Sequence, residues 1–343
     1  IVMLERSGYV SYANCGLPYY VGGVITDQEE LTLQTPESFR RRFAVDVRVR
    51  HEATAIDPAR KTVTVRRLED GSEYEEAYDK LLLSPGARPL RPALPGVESA
   101  RVFTLRTVED TLRLHTFIQN SAPRSAVVVG GGFIGLEMME NLTHQGVQVT
   151  VVEKQRQVMA PIDYDMACGV HAYLRDKGVA LRLDAAVEGF EETDSSLSVR
   201  LEGGERLETD MVVLALGVVP DTGLAKEAGL TLGGRGAIVV NDRMETSAPD
   251  IYAVGDAVQI THAVTGDPAW VPLAGPANKQ GRIAADNISG RDSRFDGSQG
   301  TSILRVFDMT VAATGLNERA AEAAGYRFDK VVTFSPSHAT YYP

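Results

Sequence analysis

The stretch from Ser125 to Glu153, SAVVVGGGFIGLEMMENLTHQGVQVTVVE, constrains the fold of this chain more than any other. A β-branched apolar run leads into a glycine cluster, then into a segment with helical spacing, and then into a second β-branched run. This order and length are typical of a βαβ unit, in which a helix connects two parallel strands. The sequence therefore predicts an α/β fold that contains a Rossmann-like domain.

The glycines of this unit have GxGxxG spacing and stand between the predicted strand and helix. Gly130 permits a tight turn, Gly132 lets the backbone approach a pyrophosphate, and Gly135 allows close packing of helix on strand. The N-terminus of the helix offers free N–H groups and a partial positive charge to the same anion. We therefore predict that these three residues bind a dinucleotide.

The second strand of the unit ends at Glu153, where a carboxylate can accept a hydrogen bond from a ribose 2'-OH. This residue favours NADH, because its charge would repel a 2'-phosphate. Lys154 and Arg156 follow directly and leave NADPH open.

Two other segments carry acidic residues at predicted strand ends. Glu5 closes the opening run IVMLER, and Gly255 and Asp256 follow the apolar run DIYAV. These positions suit the ribose, ribityl or phosphate groups of a second dinucleotide, although a solvated glutamate at a strand end also explains Glu5. Because IVMLER resembles the second strand of a nucleotide-binding unit, we expect the first strand and its glycine loop to lie upstream of Ile1.

Composition excludes several classes of function. The chain has 343 residues, 43% hydrophobic side chains and a formal net charge of -11, which disfavours nucleic acid as a partner. No apolar run approaches the roughly 20 residues of a membrane span, so we expect a cytoplasmic protein with no membrane partner. The two cysteines, Cys15 and Cys168, form neither CxxC nor metal-ligand spacing, which favours a reducing compartment and no metal site.

The predicted domains follow from the position of the βαβ unit. A nucleotide domain at 107–228 is inserted into a second α/β domain formed by 1–106 and 229–300. The apolar runs within 197–221, 236–240 and 250–257 are each closed by glycine or proline, and we predict buried parallel strands there. From Thr301 a hairpin and a helix begin a third unit.

Several motifs together resemble one family. TSAPDIYAVGDA, YDKLLLSPGARP, LALGVVPD and the glycine motif resemble segments of the two-dinucleotide flavoproteins called pyridine nucleotide-disulfide oxidoreductases, and they span almost the whole chain. SYANCGLPYY and the terminal HATYYP resemble the coenzyme A-disulfide reductase branch, which includes persulfide reductases with a fused rhodanese domain. The resemblance implies that both ends of the family's chain extend beyond Ile1 and Pro343.

The resemblance implies two Rossmann-like domains, one inserted in the other, and a partial α+β dimerisation domain at 301–343 of a homodimer. FAD would occupy the domain at 1–106 and 229–300, and NADH or NADPH the inserted one. Phe133 matches an aromatic that gates the nicotinamide pocket, or is a core aromatic at a helix start. The residues implied to hold FAD are Glu5, Gly255, Asp256, Pro272, Leu273 and Ala274, the last three at the start of a helix that points at the flavin. Without the upstream glycine loop, we expect this chain alone to bind FAD poorly.

Cys15 is predicted to be the redox-active residue. Asn14 could cap a short helix that begins at Gly16, and a helix N-terminus lowers the pKa of a nearby thiol. Taken alone, a free cysteine is more often a buried apolar filler. Relatives with CxxxxC cycle an internal disulfide, but position 20 is Tyr20, so the partner sulfur must come from the substrate.

By resemblance, Cys15 forms a mixed disulfide with coenzyme A and reduces coenzyme A disulfide or persulfide. Ser11 and Asn14 would position the sulfur, and Tyr341 or Tyr342 would assist proton transfer from across a dimer interface; ordinary interface packing also explains the tyrosines. An NADH oxidase or peroxidase that cycles Cys15 through sulfenic acid is the nearest alternative. A non-catalytic redox sensor or nucleotide-binding module is the other. Cys168 is predicted to be structural, on a helix.

Overall fold

The computed structural model describes residues 1–193, 196–336 and 338–341. Residues 1–106 contain ten strands and two helices in this order: β1 (Val2–Glu5), β2 (Ser11–Tyr12), α1 (Leu17–Val21), β3 (Thr32–Gln34), α2 (Pro36–Phe43), β4 (Asp46–Val49), β5 (His51–Asp57), β6 (Thr62–Arg67), β7 (Glu73–Ala77), β8 (Leu81–Leu83), β9 (Ala87–Pro89) and β10 (Val102–Phe103). A single 3-10 turn, Asn14–Gly16, precedes α1 and carries Cys15.

The elements of residues 107–228 follow: α3 (Val108–Ser121), β11 (Ser125–Val129), α4 (Phe133–His144), β12 (Gln148–Val152), α5 (Tyr164–Asp176), β13 (Ala180–Arg182), β14 (Val187–Glu192), β15 (Leu197–Leu201), β16 (Arg206–Thr209), β17 (Met211–Leu214), β18 (Val218–Pro220) and α6 (Gly223–Glu227). The remaining elements are β19 (Ile238–Val239), β20 (Ile251–Ala253), β21 (Val258–Thr261), β22 (Pro268–Ala269), α7 (Ala274–Ile288), β23 (Ser302–Val306), β24 (Met309–Ala313) and α8 (Glu318–Ala323).

A five-stranded parallel sheet, in the order β10-β17-β11-β12-β13, forms the centre of the predicted nucleotide domain. Val128, Val151 and Val213 lie on its three central strands and are fully buried. β-branched runs of this kind suit strands that are covered on both faces. The sheet confirms the predicted βαβ unit, β11-α4-β12, and the α/β fold class. It also takes in β10, which precedes the predicted boundary at 107.

The flanking segments form a second region in which distant strands pair in parallel. β1 pairs with β4, and β8 pairs with β20. The pairing of β8 with β20 brings residues on both sides of the inserted domain together, which agrees with a single unit interrupted by an insertion. The strands β5-β6-β7 form a separate antiparallel meander. Ile56, Val63 and Val65 of this meander are buried in one hydrophobic core with residues of β8 and β20.

One predicted strand arrangement is wrong. β15, Leu197–Leu201, lies in the antiparallel meander β14-β15-β16 and not in a parallel sheet. This meander packs against the parallel sheet, so that Leu197 and Val199 are buried together with Val212. The sequence of β15, LSVRL, alternates apolar and polar residues, a pattern that is typical of a strand in an antiparallel sheet and not of a central parallel strand.

The last described segment begins as predicted. β23 and β24 form an antiparallel hairpin, and Asn317 caps α8 by accepting the N–H of Ala320 through its side chain. Cys168 lies on α5, as the helical pattern indicated, and it is exposed; its structural role stays a prediction. Among the described residues, no helix is both long and apolar enough to cross a bilayer.

Helix α1, which follows the cysteine turn, packs against α4, which follows the glycine loop. The contact is closest at Gly22, where an added Cβ would lie 2.1 Å from Oδ1 of Asn141. The Gln145 side chain donates a hydrogen bond to the Gly22 carbonyl from the same helix surface. The two predicted functional segments are therefore held together by a junction that has no room for a side chain.

We expect Gly22→Ala to destabilise the protein by roughly 1 to 3 kcal/mol, because the new methyl group overpacks the α1–α4 junction. The backbone at Gly22 has φ -75, so an alanine there meets no backbone strain. Urea denaturation measures the effect. Gly169→Ala is the matched control: Gly169 lies inside α5 with no described atom near its missing Cβ, so this change should stabilise by roughly 0.5 to 1 kcal/mol. Equal effects of the two substitutions would contradict the proposed junction.

Candidate active site

The glycine loop between β11 and α4 has the geometry of a dinucleotide-binding turn. Gly130 has φ +112, and a Cβ there would lie 2.2 Å from the Ala215 carbonyl oxygen. A Cβ on Gly135 would lie 1.9 Å from the Gly130 carbonyl oxygen, so only glycine permits this approach of helix to strand. Gly132, by contrast, has no described atom within 4 Å of its missing Cβ. The loop thus presents bare backbone to open space beside a helix N-terminus, which fits a pyrophosphate.

Glu153 lies directly beside this loop. Its carboxylate accepts the N–H of Gly131 at 2.7 Å and the N–H of Gln155 at 2.8 Å. These bonds fix the carboxylate at the carboxyl end of β12, which is where a ribose hydroxyl would be bound. Phe133 is the first residue of α4 and directly follows Gly132 of the same loop. Its side chain is partly buried against the core.

A second segment packs against the glycine loop and holds it in place, and no sequence motif predicted this contact. The N–H of Met159 donates to the Gly131 carbonyl, and the side chain of Val158 packs where a Cβ on Gly131 would be. Buried His171, on α5, accepts the N–H of Val158 through Nε2 at 3.1 Å. Burial lowers the pKa of His171 and Arg175 lowers it further, so the ring stays neutral and able to accept this bond.

The predicted FAD residues lie at the carboxyl end of β20 and the start of α7. Gly255 has φ +80, and no described atom lies within 4 Å of its missing Cβ. The N–H of Gly255 donates to Oε1 of Gln280. Burial raises the pKa of the Asp256 carboxyl, and the charge of Arg106 lowers it by a smaller amount. Open backbone beside a half-buried carboxylate fits a hydroxyl-rich or phosphate-bearing cofactor.

Helix α7 begins at Ala274, and Pro272 and Leu273 lead into it. No side chain caps its first turn, so the first N–H groups of this 15-residue helix are left for an anionic or polar ligand. Glu5 ends β1 and accepts the N–H of Ser7 at 2.6 Å through Oε1.

Cys15 is exposed, as a reactive residue must be, but its surroundings differ from the prediction. Helix α1 starts at Leu17 with Gly16 as its N-cap, and no side chain caps it. Asn14 instead accepts a hydrogen bond from Arg106 through Oδ1 at 2.9 Å. The predicted cap by Asn14 is therefore wrong, because a partner far away in sequence takes its side chain.

The predicted lowering of the Cys15 pKa is also wrong. Burial raises the pKa of the Cys15 thiol, and the charge of Glu137 on α4 raises it further. A five-residue helix such as α1 has a weak dipole, so desolvation and the neighbouring carboxylate outweigh it. Glu137 is itself perturbed: burial and then Glu140 raise its pKa to about 7. Glu140 is almost fully buried, and its Oε2 has no hydrogen-bond partner among the described residues.

The other predicted catalytic residues lie on different elements. Ser11 is on β2, paired with Gln34 on β3, and half-buried. Tyr341 is 82% exposed on the surface of this chain. Tyr342 lies outside the described residues. Roles for all three stay predictions.

The family described as pyridine nucleotide-disulphide oxidoreductase matches residues 1–281. The chain belongs to this family. As a member of the pyridine nucleotide-disulphide oxidoreductases it has FAD and a nicotinamide nucleotide as its cofactors, and the open backbone at Gly132 and Gly255 fits both groups.

Three relatives show where the chain falls in the family. A coenzyme A disulfide reductase of Staphylococcus epidermidis is 34% identical over all of this chain and 76% of its own length. The reduced Bacillus anthracis protein CoADR-RHD has a TM-score of 0.97 and 48% identity, and an NAD-dependent persulfide reductase from A. fulgidus has 0.95 and 38%. Both structures match all of this chain, which spans 62% and 64% of theirs.

We expect Glu137→Gln to flatten the dependence of stability on pH. The folded-state pKa of about 7 lies above the unfolded value of roughly 4.3, so the folded protein holds a proton that the unfolded chain loses. The wild type should therefore lose up to about 3 kcal/mol of its free energy of unfolding, relative to the variant, as the pH rises through this window. Urea denaturation at about pH 5 and about pH 8 measures it. Parallel losses in both proteins would contradict a buried, proton-holding Glu137.

Proposed function

We propose that the chain forms the redox centre of an NAD(P)H-dependent flavoprotein that reduces coenzyme A disulfide or a coenzyme A persulfide through Cys15. The observation that carries the proposal is an exposed Cys15 without a disulfide partner, on a turn that leads into α1, the helix packed against α4 of the glycine loop. The neighbouring Asn14 bonds Arg106, whose charge acts on Asp256 at the second predicted cofactor site. The second cysteine, Cys168, lies on α5 and is also free, so it supplies no internal disulfide partner. The similarity to a coenzyme A disulfide reductase and a persulfide reductase supports this substrate class.

A basic segment near Cys15 suits the phosphates of coenzyme A. The strand of Ser11, β2, pairs with β3, and α2 follows β3 directly. The last turn of α2 carries three exposed arginines in a chain whose net charge is -11, and Phe43 after them is 54% exposed. Because β2 pairs with β3 and α2 follows β3, we propose that these arginines and Phe43 contact the phosphates and adenine of a ligand attached to Cys15. The three arginines are Arg40, Arg41 and Arg42.

The chemistry at Cys15 is a thiol–disulfide exchange. The Cys15 thiolate attacks one sulfur of the substrate disulfide, a Cys15–coenzyme A disulfide forms, and the other coenzyme A leaves as a thiolate that takes up a proton. When bound, NAD(P)H and FAD supply the two electrons that return this mixed disulfide to the Cys15 thiolate and a second coenzyme A thiol. Ser11 and Asn14 orient the sulfur, and Tyr341 or Tyr342 protonates a leaving thiolate.

The tyrosines would act from a second copy of the chain. Large apolar side chains are exposed on the C-terminal segment, where Ile303 is 71%, Val331 84% and Phe334 96% exposed. Exposed apolar surface of this extent suits a subunit interface, which we propose is that of a homodimer.

We expect Cys15→Ser to abolish NAD(P)H-dependent thiol release from coenzyme A disulfide, because serine cannot form the mixed disulfide. Intact mass of the unreduced protein should show an adduct of coenzyme A size that reductant removes and that Cys15→Ser lacks. Cys168→Ser is the matched control, and it should retain both adduct and turnover. Oxygen or peroxide consumption without thiol release would instead indicate the oxidase or peroxidase chemistry, and absence of flavin would indicate a non-catalytic module.

We expect NADH to be preferred over NADPH. The Glu153 carboxylate is held in place by two backbone N–H groups, and it would repel a 2'-phosphate. The Arg156 guanidinium is stacked over the ring of Tyr164, 4.2 Å from its centroid, and is thereby drawn away from that phosphate. Glu153→Gln should lower the NADH:NADPH ratio of kcat/KM by roughly tenfold or more. Equal use of both nucleotides by the wild type would contradict this assignment.

A further inference from the structure

The guanidinium of Arg106 lies where three segments of the chain meet. Its Nη1 donates to Oδ1 of Asn14 at 2.9 Å, in the cysteine turn, and contacts the Tyr12 hydroxyl at 3.4 Å. Its Nε donates to the carbonyl oxygen of Ala87 at 2.9 Å, in the first residue of β9. Arg106 itself belongs to the linker between β10 and α3.

The surroundings of Arg106 hold it in this position. Gly86 has φ +71, and a Cβ there would lie 3.1 Å from Nη2, so a side chain at this position would crowd the guanidinium. The backbone N–H of Arg106 donates to the Asp110 carboxylate, which also belongs to the capping box of α3. Both the main chain and the side chain of Arg106 are therefore fixed.

This hydrogen bond decides the orientation of the Asn14 amide. Arginine carries N–H groups only, and it stays protonated at all physiological pH values, so Asn14 must present its oxygen to Arg106. The NH2 group of the Asn14 side chain is then directed away from Arg106, and Asn14 is exposed and precedes Cys15 directly in the sequence. Without Arg106, either end of the amide could turn toward the sulfur.

We propose that Arg106 is a positioning residue, which fixes the Asn14 amide so that its NH2 group donates to an acceptor oxygen on the thiol-bearing arm of the substrate attached to Cys15. The proposal rests on the coenzyme A disulfide function proposed above. Coenzyme A offers such oxygens, because its thiol is carried on an arm with two amide groups. The bond would bind the substrate without taking part in the sulfur chemistry.

The test compares Arg106→Met with Asn14→Asp in the purified holoenzyme. Arg106→Met removes the hydrogen bonds that orient the amide, and Asn14→Asp keeps an acceptor for Arg106 but removes the NH2 group. Each change should raise KM for coenzyme A disulfide roughly tenfold, with a smaller effect on kcat, because a hydrogen bond to the bound substrate is lost. The double variant should be little worse than either single one, because both act through the same bond.

Further variants separate positioning from general damage. Arg106→Lys keeps a charged donor for Asn14 and should restore part of the KM. Arg101→Met is the matched control: Arg101 directly precedes β10 and donates to the Asp210 carbonyl oxygen at 3.0 Å, so its loss should leave KM unchanged. The flavin absorbance of each variant reports cofactor retention, since the charge of Arg106 also acts on Asp256.

The outcomes distinguish this inference from the proposed function. Wild-type protein without a coenzyme A adduct on Cys15 would overturn the proposed function, and this inference with it. A wild-type adduct together with an unchanged KM in Asn14→Asp, or additive effects in the double variant, would overturn the role of Arg106 alone. If Arg106→Met does not fold, the KM values of Asn14→Asp and Arg106→Lys still test the role of Arg106, because both variants keep a cation at position 106.

Discussion

The packing of α4 against α1 is the contact on which the rest of the arrangement depends. α4 begins at the glycine loop of one cofactor site, and α1 follows directly on the cysteine turn. The side chain of Asn141 packs against Gly22 and leaves no room for a Cβ there, so the two helices meet in a tightly packed contact. Electron transfer between two bound groups and a sulfur requires fixed distances. A rigid junction between the segments that hold them provides such distances.

A reactive thiol is usually expected to have a lowered pKa, but the electrostatics around Cys15 raise its pKa. Burial and Glu137 raise the pKa of Cys15, and the exposed turn has no long helix to offset them. A thiol with a higher pKa is ionised in a smaller fraction of the molecules, but its thiolate is a stronger nucleophile. The raised pKa of Glu137 reduces the conflict, since near neutral pH that carboxyl is partly protonated and repels the thiolate less. The charge on Glu137 therefore affects the ionisation of the Cys15 thiol.

The sequence predicted the features that depend on local backbone sterics and missed those that depend on distant partners. The roles of Gly130 and Gly135 follow from a turn that spans six residues, and the structure shows the close contacts expected of them. The side chain of Asn14 was assigned to a local cap, but its partner is Arg106, separated by 92 positions. The parallel pairing assigned to β15 failed for a different reason, because the alternation of apolar and polar residues in LSVRL already favours an antiparallel strand.

A sulfur without an internal partner also explains why so many polar contacts surround the cysteine turn. An enzyme that cycles its own disulfide holds both sulfurs covalently, whereas a single cysteine must hold the second sulfur through the rest of the substrate. Such binding needs a donor near the sulfur, which we propose is the Asn14 amide held by Arg106, and charge farther away, which we propose is the last turn of α2. Contacts with distant parts of a substrate can orient its reacting sulfur. The binding energy of a large group that carries the sulfur can therefore accelerate a reaction that takes place at one atom. In the proposed function the size of the ligand is thus part of the mechanism, and a small disulfide without a carrier would lack these contacts.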